Sequence, residues 1–169
     1  MKKFLLASVL ALVTIGSAMA NDPTKSDRQG FYVGGSVNKT TDTKNQIGGS
    51  VDLGYQVNQY LRAELDYTHM FNTNGAGNLL MGNGIAQYRI PNSTVTPYGF
   101  GGMGVAYNTA GALRNGGAIT VYNVGAGSRI AVSESVEVDA RYTNVRPFQT
   151  NGASFNQAHL MTLGLNYRF

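Results

Sequence analysis

The last residues of the chain, Leu160-Met161-Thr162-Leu163-Gly164-Leu165-Asn166-Tyr167-Arg168-Phe169, alternate without a break. As a strand they place Met161, Leu163, Leu165, Tyr167 and Phe169 on one face and Thr162, Gly164, Asn166 and Arg168 on the other. Such a strand needs an apolar medium against one face and water or polar groups against the other. A membrane-spanning barrel strand meets that demand, with hydrocarbon outside and a polar lumen inside.

The opposite end supports export. Lys2 and Lys3 precede an apolar stretch from Phe4 to Gly16 and a small-residue site, Ala18-Met19-Ala20. Residues 1–20 are therefore expected to be a secretory signal peptide, with Ala18 and Ala20 forming the cleavage site before Asn21. The apolar run is too short for a spanning helix, and nothing downstream approaches the roughly 20 apolar residues one needs. The sequence contains no Cys, which excludes disulfides and thiolate metal sites. The formal charge of +4 falls to +2 once Lys2 and Lys3 are removed. The basic residues form no run or stripe, so nucleic acid is not an expected partner.

Alternating segments lie at about 30–38, 48–57, 60–70, 79–90, 97–107, 118–130, 136–145 and 158–169. Eight is the smallest usual strand number for an outer-membrane barrel. The segment lengths match or slightly exceed the ~9–11 residues of a tilted spanning strand. The expected fold is all-β, an eight-stranded antiparallel up-and-down transmembrane β-barrel over residues 30–169, preceded by a flexible periplasmic leader at 21–29. Tight turns are expected at Asn58-Gln59, Pro91 to Thr96 and Ala131 to Ser135. Longer polar loops fall at about 39–47, 71–78, 108–117 and 146–157, an asymmetry expected of short periplasmic turns and longer outer loops.

The charges give an internal check, because Arg or Lys on the lipid face near the midplane costs about 2–4 kcal/mol. Arg62, Glu64 and Asp66 share one face of the third segment, against Leu61, Ala63, Leu65 and Tyr67 on the other. The seventh segment repeats the arrangement, with Glu137, Asp139 and Arg141 against Val136, Val138, Ala140 and Tyr142. Asp52, Arg89, Arg129 and Arg168 join the polar faces of their own segments. These residues are expected to form a lumen charge network, with Arg129 facing Glu137 across the short turn. Every Lys after the signal peptide is assigned to the leader or the outer loops. Arg suits a packed interior better, since its fork engages two carboxylate oxygens and stays charged.

Tyr55, Tyr60, Tyr88, Tyr98, Phe31 and Tyr167 fall near one end of the strands, and Tyr67, Phe71, Tyr107, Tyr122 and Tyr142 near the other. Two such belts are the aromatic girdles of a membrane barrel. A soluble ligand-binding barrel would invert the faces and leave the Arg and carboxylate rows outside.

Taken with the signal peptide and the eight segments, Thr96-Pro97-Tyr98-Gly99-Phe100-Gly101-Gly102 and the terminal Tyr167-Arg168-Phe169 resemble the small outer-membrane β-barrel family. That family includes OmpX, Ail, the opacity proteins and the OmpA transmembrane domain. The resemblance implies an integral protein of a Gram-negative outer membrane, with outer-membrane lipid as its surroundings. It implies a structural role or display of surface loops for adhesion and host interaction, and a host-surface ligand would engage those loops. A narrow gated small-solute pore is the alternative, and a lipid-modifying enzyme the third reading. A monomer without cofactor or metal is expected.

Some small barrels are lipid A acylhydrolases or acyltransferases that use His and Ser near the outer leaflet. His69 and His159 lie at the outer ends of their segments, and Ser154 is close to His159 in sequence. No acidic orienter accompanies them, and rim polarity is the simpler reading. Gly99-Phe100-Gly101-Gly102-Met103-Gly104 fits a dinucleotide fingerprint but continues as a strand through Val105-Ala106-Tyr107, so the context is wrong.

The terminal strand also resembles the signal read by the outer-membrane assembly machinery, with Leu163, Leu165, Tyr167 and Phe169 as the recognised face. Deleting Phe169 should lower the amount of inserted barrel in outer-membrane fractions. Undiminished membrane levels would remove this reading.

Overall fold

The computed structural model describes residues 29–41, 46–71, 77–107, 118–148 and 157–169. Eight strands follow in order: β1 (Gly30–Thr40), β2 (Ile47–Gln56), β3 (Leu61–Met70), β4 (Asn78–Gln87), β5 (Val95–Tyr107), β6 (Ala118–Ala131), β7 (Val136–Pro147) and β8 (Ala158–Arg168). Each pairs antiparallel with its sequence neighbours, and β8 closes on β1 from Tyr32↔Arg168 to Thr40↔Leu160. The expected signal peptide and the leader up to Arg28 lie outside the described residues, as do most of the outer loops and Ser154.

The short turns have local causes. Asn58 Oδ1 accepts from the backbone N–H of Tyr60 at 2.8 Å and of Leu61 at 2.9 Å, closing the β2–β3 turn. Ser133 Oγ accepts from Val136 N–H at 3.1 Å between β6 and β7. Asn92, with φ 58°, supplies the left-handed residue of the β4–β5 turn, a conformation Asn tolerates better than most residues. That turn is longer than expected, because β4 ends at Gln87, short of residue 90.

The chain is folded inside out relative to a water-soluble protein. Among the described residues, the buried set contains sixteen polar or charged side chains and twelve apolar ones. Leu163 and Leu165, by contrast, are each 59% exposed on the outer wall. Hydrocarbon is the solvent that makes this wall favourable, and a closed barrel satisfies every strand within it. Phe31, Tyr60 and Tyr88 mark one end of the wall, and Tyr67, Phe71 and Tyr142 the other.

Tyr98 is a correction. It is buried in the lumen rather than set in the girdle, as are Tyr32 and Phe100. Each ring lies over a glycine directly opposite on the next strand: Tyr32 over Gly54, Tyr98 over Gly127 and Phe100 over Gly125. A Cβ at those glycines would fall 2.0, 2.5 and 2.4 Å from the respective rings. The missing side chain is the room into which the ring folds, a cross-strand pairing that also pins register.

Gly54→Val should therefore lower stability by about 1–3 kcal/mol through overpacking. Gly99→Ala on the outer wall, where a Cβ would meet only Gly125 O at 3.9 Å, should change it little. Denaturant unfolding midpoints of the two variants in micelles test the contrast.

Candidate functional site

The lumen is layered along the barrel axis. At the periplasmic end, Arg62 forks Glu137 through Nη1 at 3.0 Å and Nη2 at 3.1 Å, and Arg168 bonds the same carboxylate. Deeper in, Arg141 Nη1 donates to Glu64 Oε1 at 2.7 Å, and Arg141 Nη2 donates to Asp139 Oδ2 at 2.6 Å. Tyr32 Oη donates to Glu64 Oε2 at 2.8 Å, and Tyr98 Oη donates to Asp139 Oδ1 at 2.5 Å. Arg129, only 1% exposed, is held by Gln87 Oε1 at 3.1 Å and by the Tyr98 ring 4.1 Å beneath its guanidinium. Its approaches to Asp139 at 3.5 Å and Glu64 at 3.9 Å are charge contacts rather than hydrogen bonds.

Register corrects one expected pair. Arg129 stands opposite Asp139, and Ala131 is opposite Glu137. Arg129 is therefore one layer too deep for Glu137, which pairs with Arg62 and Arg168 instead. Arg89 stands at the edge of the network. Beyond the end of β4 it is exposed at the periplasmic mouth, beside a small cavity also lined by Arg62, Glu137 and Arg168. Asp52, Arg62, Glu64, Asp66, Arg129, Glu137, Asp139, Arg141 and Arg168 all belong to the inner face. Asp52 and Asp66 are directly opposed across β2 and β3. Gln87, Tyr32 and Tyr98 are network members that charge patterning missed. Tyr32 was legible, since it shares parity with Ser36 and Asn38 in β1.

Above the charges lies a polar shelf. Thr162 donates to Asn38 Oδ1 at 2.6 Å, Asn38 bonds Ser50, Ser50 and Thr68 hydroxyls are 2.6 Å apart, and Thr68 donates to Asp66 at 2.8 Å. This shelf borders a cavity of about 30 Å³, which has Arg141 on its wall and room for one or two waters. The outer lumen is then closed by an apolar cluster of Met70, Leu79, Met81, Ala106, Val121, Val145, Ala158 and Leu160. Alternation did not reveal this plug, because β4 turns Leu79, Met81 and Ile85 inward and leaves Gly82, Gly84 and Ala86 outside. The charge network thus fills only the periplasmic half.

The assembly-signal face is outward: Leu163, Leu165 and Phe169 are exposed, and Tyr167 packs edge-on against Phe169 with centroids 5.4 Å apart. His69 Nδ1 lies 2.7 Å from Asn78 Oδ1. His159 is surrounded by Tyr142, Asn144 and Gln157, with no carboxylate among these partners. Among the described residues no cluster of His, Cys, Asp and Glu could hold a metal ion.

A family model described as the outer membrane protein beta-barrel domain matches residues 8–169. The chain belongs to the outer-membrane β-barrel family. As in its relatives, the wall of β1–β8 lies in the bacterial outer membrane. No curated protein sequence matches it. Among solved structures, the N-terminal barrel of Pseudomonas aeruginosa OprF is similar at TM-score 0.62 and 19% identity, covering 84% of this chain and all of that one. Neisserial surface protein A is similar at TM-score 0.62 and 18% identity, covering 82% and 97% of the two chains. The outer membrane enzyme PagL is similar at TM-score 0.57 and 15% identity, covering 82% and 99%. At these identities the likeness concerns the fold alone, and the proteins that share it include an enzyme as well as other barrels.

Removing one partner of a buried ion pair leaves the other charge uncompensated, at a cost of about 3–5 kcal/mol. Glu64→Ala, which strips a partner from Arg141 and Tyr32 at a fully buried position in the middle of the lumen, should approach that loss. Glu137→Ala, whose carboxylate is 11% exposed at the mouth, should lose less. Equilibrium unfolding of the two variants ranks them.

Proposed function

We propose that this protein is a closed, membrane-spanning barrel that serves the envelope structurally and displays its outer loops, through which a host-surface ligand would be engaged. The observation that carries this reading is the filled lumen. An apolar plug sits over a polar shelf, and both sit over cross-linked Arg and carboxylate layers. The two cavities described above, about 30 and 10 Å³, are each of the size of a water or two. A hydrated ion would have to part the Glu64, Asp139, Arg129 and Arg141 cluster and then cross the side chains of Leu79, Val121 and Leu160. An interior of eight strands is just wide enough for such filling. Any ligand specificity then falls to the loops, which the scaffold holds at one rim.

The purified protein in planar bilayers should produce no discrete conductance steps, after altered gel mobility on heating has confirmed a folded barrel. Arg141→Ala should remain silent, because the plug above it is untouched. Steps in the native protein that change with Arg141→Ala would replace the closed scaffold with a narrow gated pore.

A further inference from the structure

The ion pairs of the lumen leave two of its carboxylates out. Glu64 and Asp139 are held by Arg141 with Arg129 beside them, and Glu137 is held by Arg62 and Arg168. Asp52 of β2 and Asp66 of β3 stand directly opposite each other on the inner face, and neither forms an ion pair among the described residues. Asp66 accepts a hydrogen bond from Thr68 at 2.8 Å. Asp52 is 2% exposed, and its Oδ2 has no hydrogen-bond partner. Opposed cross-strand residues have Cβ atoms about 4.5–5.5 Å apart, which brings both carboxylates within reach of one small ligand. Carboxylates buried this deeply without a counter-charge are strongly unfavourable.

The surroundings of the pair are rich in oxygen. Gly34 of β1 stands opposite Asp52 on one side and Asn166 of β8 on the other. A Cβ at Gly34 would fall 2.2 Å from Asn166 Oδ1 and 2.3 and 2.5 Å from the two Asp52 carboxylate oxygens, so three oxygens converge over the bare glycine. Asn166 is 3% exposed and its Nδ2 has no partner. Its amide thus turns an acceptor toward a carboxylate, an arrangement that a positive ligand between them satisfies. Asp66 borders the cavity of about 30 Å³, together with Ser50, Thr68 and Asn123. Asn123 Oδ1 is likewise buried without a partner. Arg141, on the same cavity wall, is committed to Glu64 and Asp139 through its terminal nitrogens.

Two carboxylates with amide and hydroxyl oxygens form the donor set of a hard cation, and a single divalent ion balances their charge. We infer that the lumen holds one divalent cation of the size of Ca²⁺ between Asp52 and Asp66, with Asn166 Oδ1 as a neutral ligand and the cavity beside Asp66 holding water of its coordination shell. Only two acidic groups take part, so the site is not a cluster of His, Cys, Asp and Glu of the usual kind. Mg²⁺ demands near-octahedral geometry and gives up water reluctantly, so the larger ion suits this packed interior better. With the apolar plug above and the Arg and carboxylate layers below, the ion is taken up as the barrel closes. It staples β2 and β3 to β8 across the β1–β8 seam, whatever the outer loops bind.

The test refolds the purified protein into zwitterionic micelles with Ca²⁺ or with a chelator, at equal ionic strength and fixed pH, and follows denaturant unfolding. With only two charged ligands the site belongs among the weaker Ca²⁺ sites, with Kd of about 10⁻⁴–10⁻³ M. About 10 mM free Ca²⁺ should then raise the folded-to-unfolded ratio about 10- to 100-fold. The side-chain amide resonances of Asn123 and Asn166 should move with it. Asp66→Asn should lose the Ca²⁺ dependence yet stay folded in chelator, because the variant no longer buries an opposed pair of charges. Asn166→Asp, which adds a third carboxylate, should bind Ca²⁺ more tightly. Equal stability in Ca²⁺ and chelator, a gain matched by NaCl, or an undiminished gain in Asp66→Asn would overturn the proposal. Asn166→Asp destabilised alike in both media would also overturn it, with Asn166 donating to Asp52 instead. An unfolding midpoint that follows pH but not Ca²⁺ would replace the ion with a proton shared by the pair.

Discussion

Closure of β8 onto β1 is the constraint on which everything else rests. In hydrocarbon an unpaired strand edge cannot recover its hydrogen bonds from water, and each lost partner costs several kcal/mol (about 2–7, depending on the reference medium). A ring of eight antiparallel strands leaves no edge. It also creates an interior so narrow that side chains from facing walls must meet. The lumen is thus the consequence of satisfying the backbone, and its filling is a separate packing problem.

That problem is solved differently at the two ends. Toward the periplasm, the chain uses guanidinium groups, which hold two carboxylates at once and stack on rings: Arg141 bridges Glu64 and Asp139, and Arg129 lies over Tyr98. The rings lie flat only because Gly54, Gly125 and Gly127 vacate the wall behind them. Toward the outside, aliphatic side chains and the two methionines Met70 and Met81 pack against one another with no charge among them. Buried ion pairs add little net stability over apolar packing, but they punish a misplaced register severely. The charged half therefore specifies the pairing, and the apolar half seals it.

The outer surface divides along a different line. Its middle is a solvent boundary with lipid tails, whereas its outer rim presents hydrogen-bonded polar groups over β7 and β8.

Strand number, the lipid-facing parity of β3, β7 and β8, and the inward direction of most charges were all legible in the sequence. Period-two alternation and the cost of charge in hydrocarbon act on each strand alone, and short turns leave little freedom in the order of pairing. What escaped depends on who stands opposite. Arg129 meets Asp139 rather than Glu137 because register moves the partner by one layer. Tyr98 enters the lumen because Gly127 is across from it, and Arg89 reaches only the lumen mouth because β4 stops at Gln87. The apolar plug breaks the rule of oil outside and polarity inside, since its side chains meet one another across the narrow lumen. Local pattern determined which residues could touch lipid; closure of the barrel decided which of the remainder touch one another.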